Sequence, residues 1–169
     1  PKIDSTEVFS DVTVNSWYRH ELTDLYNAGV INGYEDGTFR GNNYVTTGEA
    51  LKMILLACGY DEPEPVSSHW ARSYLNLAIE EDILVRWQDI TDLDVAISRK
   101  LVAKIAARAL NIEAESSGSP FKDTFDKYVH ALYDYNILTG YEDGTFRPAN
   151  RLTRAELTAI VWRILALRS

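Results

Sequence analysis

Gly140-Tyr141-Glu142-Asp143-Gly144-Thr145-Phe146-Arg147 is the stretch that decides how this chain is organised, because the same eight residues stand at 33–40. The two copies lie 107 residues apart. A similar segment follows each copy, Thr46-Thr47-Gly48-Glu49 after the first and Thr153-Arg154-Ala155-Glu156 after the second. Self-similarity at a long, fixed spacing indicates tandem structural repeats. The interval between the copies is long enough for a third, diverged copy.

The diverged copy can be located by its spacing. Trp70 stands 53 residues after Trp17, and Ser98 stands 52 residues after Thr46, although the loop before Ser98 has lost the eight-residue signature. This spacing divides the chain into three repeats that form one compact module: residues 1–60, 61–112 and 113–169.

Each repeat is predicted to contain two helices joined by a loop. In repeat one, apolar residues at helical spacing predict a helix from Trp17 to Asn27, with Ser16 as its N-cap. A second helix begins at Thr46 and ends before Gly59, which stops it. His69-Trp70 is predicted to open the first helix of repeat two.

The ends of the first helices share one feature. A residue that favours the left-handed conformation follows the first helix of each repeat, and such residues end helices. These residues are Gly29, Asp82 and Asn136. The fold class is therefore predicted to be all-α, with three helix-loop-helix repeats.

Composition excludes several function classes. A net charge of −8 argues against a nucleic-acid binder, and no apolar run approaches the ~20 residues that span a bilayer. The single cysteine, Cys58, is interpreted as core packing. Because Pro1 is not followed by a charged and then apolar leader, we expect that any signal peptide has been removed or lay upstream in a longer protein, and that the chain is an excised module.

The sequence gives little reason to expect catalysis or a metal. Glu49 and Glu156 are explained as capping residues and Asp36 and Asp143 as turn residues, so no carboxylate pair is left for a glycosidase. The chain's histidines, His20, His69 and His130, share no zinc-ligand spacing. The Asp-Gly turns lack the oxygen ladder of a calcium loop, and no cofactor is expected.

Arg154 is the residue that local structure does not require. Thr153 and Glu156 form a capping box, but a cation in the first helical position faces the positive end of the helix dipole. Arg99 takes the same place after Ser98, whereas repeat one has Thr47 there.

These arginines have two interpretations. A helix start with free N–H groups attracts anions, and arginine adds a bidentate partner for a carboxylate. Alternatively, each is an exposed arginine paired with a carboxylate of its own repeat. Lys100 adds positive charge beside Arg99, for which a solvated charged face is the competing explanation.

The signature loop is explained mostly by turn chemistry. Glycine supplies a positive φ in the Glu-Asp-Gly turn, and Phe39 and Phe146 are predicted to be buried plugs. The tyrosines of the loop, Tyr34 and Tyr141, either pack inside the protein or face a ligand. The glycines before them, Gly33 and Gly140, would permit a close backbone approach.

Three tryptophans are candidates for contact with a ligand. Trp17 and Trp70 stand at helix starts, where each ring either stacks on a ligand or packs against the protein. Trp87, in the diverged loop of repeat two, could replace a stacking residue.

These motifs together resemble a known family. The opening Phe9-Ser10-Asp11-Val12, the tryptophan at a helix start, the signature loop and Thr-Arg-Ala-Glu are similar to the S-layer homology (SLH) domain in its triple arrangement. The resemblance covers about 9–167, is most specific in repeat three, and depends on spacing alone in repeat two.

The resemblance implies both a fold and a function. The fold would be a pseudo-threefold all-α assembly. It would anchor the rest of a larger surface protein to the bacterial cell wall by binding an anionic secondary cell-wall polysaccharide, often pyruvylated, in grooves between repeats. One or two competent sites are expected, because the repeats differ. The implied ligand-binding residues are Arg154, Arg99, Lys100, Thr153, Ser98, Thr47, Trp17, Trp70, Asp11, Gly33, Gly140, Tyr34 and Tyr141. A surface protein–protein docking module is the alternative.

Overall fold

The computed structural model describes residues 1–66, 68–90 and 92–169, with the backbone alone for Arg86 and Trp87. This part of the chain is helical and contains no β-sheet, so the all-α prediction is confirmed. No helix in it is long and apolar enough to cross a membrane. The helices are α1 (Ser5–Val8), α2 (Arg19–Asn27), α3 (Thr47–Ala57), α4 (Arg72–Glu80), α5 (Arg86–Asp89), α6 (Arg99–Leu110), α7 (Lys127–Asp134) and α8 (Arg154–Arg168).

The second helix of each repeat begins where the sequence predicts. The N-caps of α3, α6 and α8 are Thr46, Ser98 and Thr153, and each hydroxyl oxygen accepts a hydrogen bond from the third N–H of its helix. Glu49 and Glu156 complete capping boxes on α3 and α8. Both predicted capping boxes are thus confirmed.

The first helices of repeats one and two begin later than predicted. α2 begins at Arg19, because Ser16 Oγ accepts a hydrogen bond from the N–H of Thr13 and organises a turn before the helix. The prediction of Ser16 as an N-cap is therefore wrong. In repeat two, α4 begins at Arg72, two residues after His69-Trp70.

The helix ends agree with the sequence. Gly29, Asp82 and Asn136 have φ values of 79°, 57° and 60°, which confirms the left-handed conformation predicted for them. The sequence patterns do not predict α1 or α5. α1 has its own capping box, and its N-cap Asp4 forms an ion pair with Arg19 of α2.

Three isolated bridges join the repeats in a cycle. They pair Tyr44 with Thr153, Thr46 with Ala96, and Ser98 with Arg151. Each segment that leads into α3, α6 or α8 therefore contacts both of the others. This pairing fits a threefold arrangement of the repeats. The threefold symmetry of the complete repeats stays a prediction.

The helices pack mainly between repeats. α3 packs against α4, α6 against α7, and α8 against α2, so that the second helix of each repeat lies on the first helix of another. α3 also contacts α6 and α8. A sequence repeat is therefore not a packing unit by itself. Any groove beside these helices is built from more than one repeat.

Candidate functional site

Arg154 is buried at the contact between repeats three and one. Its Nε donates to the carbonyl of Phe39 at 2.8 Å, and Nη1 lies 2.6 Å from the carboxylate of Glu49. The residue is 5% exposed. Arg154 therefore pairs with another repeat, and the interpretation as an exposed arginine paired within its own repeat is wrong.

Tyr34 belongs to the same buried cluster. Its hydroxyl donates to the Glu49 carboxylate at 2.6 Å. Burial, and then this hydrogen bond, raise the pKa of Tyr34 to about 12. The guanidinium groups of Arg40 and Arg154 lie over its ring, 3.8 and 4.7 Å from the centroid, which is cation–π geometry. The Tyr34 hydroxyl therefore donates its hydrogen bond to a group of the protein.

An open groove of about 290 Å³ lies beside this cluster. The groove is lined by the loop and α3 of repeat one, by Trp70 of repeat two and by Arg154 of repeat three. Val30, Ile31 and Met53 supply an apolar wall. We call this cavity groove one and define it by Gly33, Tyr34, Glu49, Lys52, Trp70 and Arg154.

Arg99 occupies the equivalent place between repeats two and three. Its Nε donates to the carbonyl of Phe146 at 2.8 Å, and Nη2 donates to the carbonyl of Thr139 at 3.1 Å. Arg99 and Arg147 lie over the Tyr141 ring, at 5.1 and 3.7 Å from its centroid. We call this cluster the Arg99 site.

The two arginines differ in their counterions. Arg154 has a carboxylate at 2.6 Å, whereas Arg99 forms no ion pair within 4.0 Å in the described part of the chain. Arg99 is only 7% exposed, and burial lowers its pKa. The buried charge of Arg99 is therefore stabilised by backbone carbonyls and aromatic rings at short range, and by the carboxylate of Glu156 from farther away.

The third equivalent place, at the start of α3, has no arginine. Thr47 stands there, buried, and its hydroxyl donates to the carbonyl of Val95 at 3.1 Å. Leu101 stands in α6 where α3 and α8 have glutamates. This place therefore lacks both charges of groove one.

The loop of repeat two also forms an internal ion pair. Lys104 of α6 lies 2.5 Å from Asp89 of α5, and the Asp89 side chain is almost fully buried. The suggestion that Trp87 replaces a stacking residue concerns a side chain outside the described residues.

The helix starts beside the arginines are not free anion sites. The N–H groups of Arg154 and Ala155 donate to the carbonyls of Asn43 and Gly41. The N–H groups of the first two residues of α6 and α3 are used in the same way. The prediction of free N–H groups is therefore wrong, because a loop from another repeat supplies the acceptors.

The remaining predicted site residues separate into exposed and structural ones. Trp17 and Trp70 are 62% and 53% exposed, and Lys100 is exposed as well. Asp11 holds the signature loop, because its carboxylate oxygens accept the N–H groups of Phe39 and Arg40 at 2.8 and 2.7 Å. The predicted plugs Phe39 and Phe146 are fully buried, which confirms that prediction.

Gly33 and Gly140 are required by packing inside the protein. A Cβ at Gly33 would overlap the ring of Phe9, and one at Gly140 would overlap the ring of Phe121. The close approach that these glycines permit is therefore that of a phenylalanine. Contact of either glycine with a ligand stays a prediction.

We expect Gly33→Ala to destabilise the fold clearly more than Gly37→Ala. Both glycines have a positive φ, 78° and 81°, but a Cβ at Gly37 meets nothing within 4 Å. The control should cost about 1 kcal/mol for the left-handed backbone, and overlap with Phe9 should add about 1–3 kcal/mol. Urea unfolding measures both values. Equal losses would contradict this role of Phe9.

Two residues of groove one were not predicted from the sequence. Glu49 was explained by capping alone, yet one carboxylate oxygen accepts the N–H of Thr46 while the other binds Arg154 and Tyr34. Lys52 lies three residues further along α3. Its spacing from Glu49 places both residues on one helix face, which was the available signal.

No cluster of histidine, cysteine, aspartate or glutamate suited to a metal ion occurs among the described residues. Cys58 lies half-buried against the core, and burial raises its pKa to about 12. A thiolate is the form that acts as nucleophile or metal ligand. The cysteine therefore contributes packing.

Comparison with known proteins matches two of the three repeats to a family. Residues 8–51 and 120–158 match the model of the S-layer homology domain. The chain is 26% identical over 159 residues to the Cellulosome-anchoring protein of Acetivibrio thermocellus, covering 82% of this chain and 36% of that protein. It is 26% identical over 161 residues to Cell surface glycoprotein 1 of the same bacterium, covering 80% and 7%. It is 28% identical over 180 residues to an Endoglucanase of Bacillus sp., covering 92% and 19%. The chain thus spans little more than a third of the length of these relatives, or less.

Proposed function

We infer from the matches of residues 8–51 and 120–158 that repeats one and three are S-layer homology motifs and that the chain lies at the bacterial cell surface. From this premise we propose that it anchors a larger protein to the cell wall. The proposed ligand is an anionic secondary cell-wall polysaccharide that carries pyruvate ketals. The proposed binding sites are groove one and the Arg99 site.

The composition of groove one carries this proposal. A buried arginine and a lysine supply positive charge on a chain whose net charge is −8. Trp70 is exposed at the edge of the groove, and an indole ring can stack on the apolar face of a sugar. A pyruvylated sugar offers a carboxylate for the cations and a ring face for the indole.

The size of groove one suits a small part of a polymer. Its volume of about 290 Å³ lies at the lower end of the range of small-molecule sites, ~300–1,000 Å³. Groove one is therefore proposed to bind a single modified sugar. Two such sites on one module would bind one polymer with increased avidity.

We propose that the module is not catalytic. A glycosidase needs two carboxylates in opposite protonation states beside the scissile bond. Glu49 is occupied by Arg154, Tyr34 and a backbone N–H, and Glu156 caps α8. The similarity to an endoglucanase covers 19% of that protein.

Calorimetry with purified cell-wall polysaccharide tests the proposal. We expect binding that falls at least about tenfold after mild acid removes the pyruvate, because a charge-assisted hydrogen bond is lost. Unchanged affinity after this treatment would reject the pyruvate as the recognised group. If the chain bound a surface protein and no polysaccharide, the docking-module alternative would be favoured.

A further inference from the structure

One position on the second helix differs in a revealing way among the repeats. The sixth residue of α3 is Lys52, the sixth of α6 is Lys104, and the sixth of α8 is Ala159. Lys104 is held by Asp89 at 2.5 Å. The alanine carries no charge. Only Lys52 of these three therefore combines a positive charge with a place in an open groove.

The charges of groove one show what Lys52 adds. Among the described residues, two cations and one carboxylate line the groove, an excess of one positive charge. Arg154 is already paired with Glu49, and its Nε is used by a backbone carbonyl. Lys52 forms no ion pair within 4.0 Å in the described residues. The excess charge is therefore located on Lys52.

We infer that Lys52 is the residue that binds the ligand's carboxylate in groove one, and that Arg154 holds the groove together. This inference rests on the proposed function. The lysine ammonium has three donors on a flexible stem, so it reaches an incoming anion without breaking a contact of the fold. Moving Arg154 onto the ligand would instead take the counterion from Glu49 and the side-chain donor from the Phe39 carbonyl.

The same reasoning makes the two sites unequal. The Arg99 site has alanine at the position of Lys52, and the guanidinium there donates to two carbonyls. It therefore lacks a mobile cation at this position. We expect groove one to prefer the charged form of the sugar more strongly than the Arg99 site does.

Lys52→Gln tests the inference, with a pyruvylated hexosamine and its uncharged methyl ester as probes. Indole N–H resonances, assigned through Trp→Phe variants, report on each site separately. Trp70 reports on groove one. Trp17 reports on the Arg99 site, because it precedes the helix packed on α8. We expect about tenfold weaker binding of the acid at Trp70, with an unchanged titration at Trp17. Lys52→Arg should restore most of the affinity. Lys122→Gln makes the same charge change at an exposed position and should change neither titration.

Ala159→Lys is the reciprocal test. Residue 159 is half-buried at the equivalent place on α8, so a lysine stem can lie along the surface with its charge in solvent. We expect severalfold tighter binding of the acid, relative to the methyl ester, in the Trp17 titration.

The outcomes separate the inference from the proposed function. If the wild-type chain bound neither probe nor the polysaccharide, the proposed function would fail. If it preferred the acid at Trp70 and Lys52→Gln kept that preference, the inference would be overturned while the anchoring proposal survived.

Discussion

Glu49→Ala is expected to destabilise the folded chain by about 3–5 kcal/mol, because it leaves the charge of Arg154 buried without a counterion. Arg154 is 5% exposed and lies 2.6 Å from the carboxylate that this substitution removes. The hydroxyl of Tyr34 also loses its acceptor. Urea unfolding at neutral pH, with the m value compared between variants, measures the effect.

Glu156→Ala is the matched control. Glu156 holds the same position in α8 and accepts the N–H of Thr153 as Glu49 accepts that of Thr46. Among the described residues it forms no ion pair within 4.0 Å, although its charge partly offsets the lowering of the Arg99 pKa from farther away. Loss of a capping interaction alone costs about 1 kcal/mol. Adding Arg154→Met to Glu49→Ala should recover part of the loss, since no buried charge remains. Equal destabilisation by the two alanine variants would show that the Arg154–Glu49 pair contributes nothing.

The features predicted correctly from the sequence depend on neighbours along the chain. A threonine followed by glutamate three residues later specifies a capping box, and glycine, aspartate or asparagine after a helix specifies a left-handed residue. The buried Phe39 and Phe146 follow from a polar turn that has one aromatic residue near its end. These interactions need no knowledge of the tertiary fold.

The environment of Arg154 could not be predicted in the same way. Glu49 lies 105 residues before it, and the carbonyl of Phe39 lies 115 residues before it. The expectation of a free helix N-terminus treated α8 as an isolated helix. In the folded chain, carbonyls of the repeat-one loop accept the N–H groups of Arg154 and Ala155. Free N–H groups at a helix N-terminus do attract anions, but the N–H groups at the start of α8 already donate to backbone carbonyls.

The sequence alone does not distinguish the environment of Lys52 from that of Lys104. The sequence context of Lys52 resembles that of Lys104, since both are the sixth residue of a second helix. Only the tertiary structure shows that Lys104 meets Asp89 while Lys52 lines an open groove. Position along the helix therefore shows that the two lysines correspond, but it does not show that their environments differ. For the same reason, the groove was predicted as a type of site and its residues only in part.

The Trp17→Ala, Trp70→Ala double variant is expected to bind the cell-wall polysaccharide at least about 100-fold more weakly than the wild type. Each indole is more than half exposed, so each substitution removes a stacking surface and little packing. Trp70 lines groove one, and Trp17 precedes α2, which packs on α8. A single variant should weaken a monosaccharide about tenfold at one site. The double variant also loses the avidity of two sites on one polymer, which is worth a factor of ~10²–10⁴. Calorimetry with the monosaccharide and cosedimentation with cell-wall sacculi separate the two contributions.

Phe125→Ala supplies the control for surface aromatic residues in general. Phe125 is 86% exposed and precedes α7 as Trp70 precedes α4. However, α7 packs on α6, next to the place that has Thr47 instead of arginine. Loss of the Phe125 ring should leave polysaccharide binding unchanged. The free energy of unfolding of all these variants should lie within about 0.5 kcal/mol of the wild-type value, because the side chains are exposed. A loss of binding in Phe125→Ala equal to that in the double variant would indicate nonspecific apolar adhesion. Full binding by the double variant would remove both tryptophans from the site and leave recognition to the cations, above all Lys52.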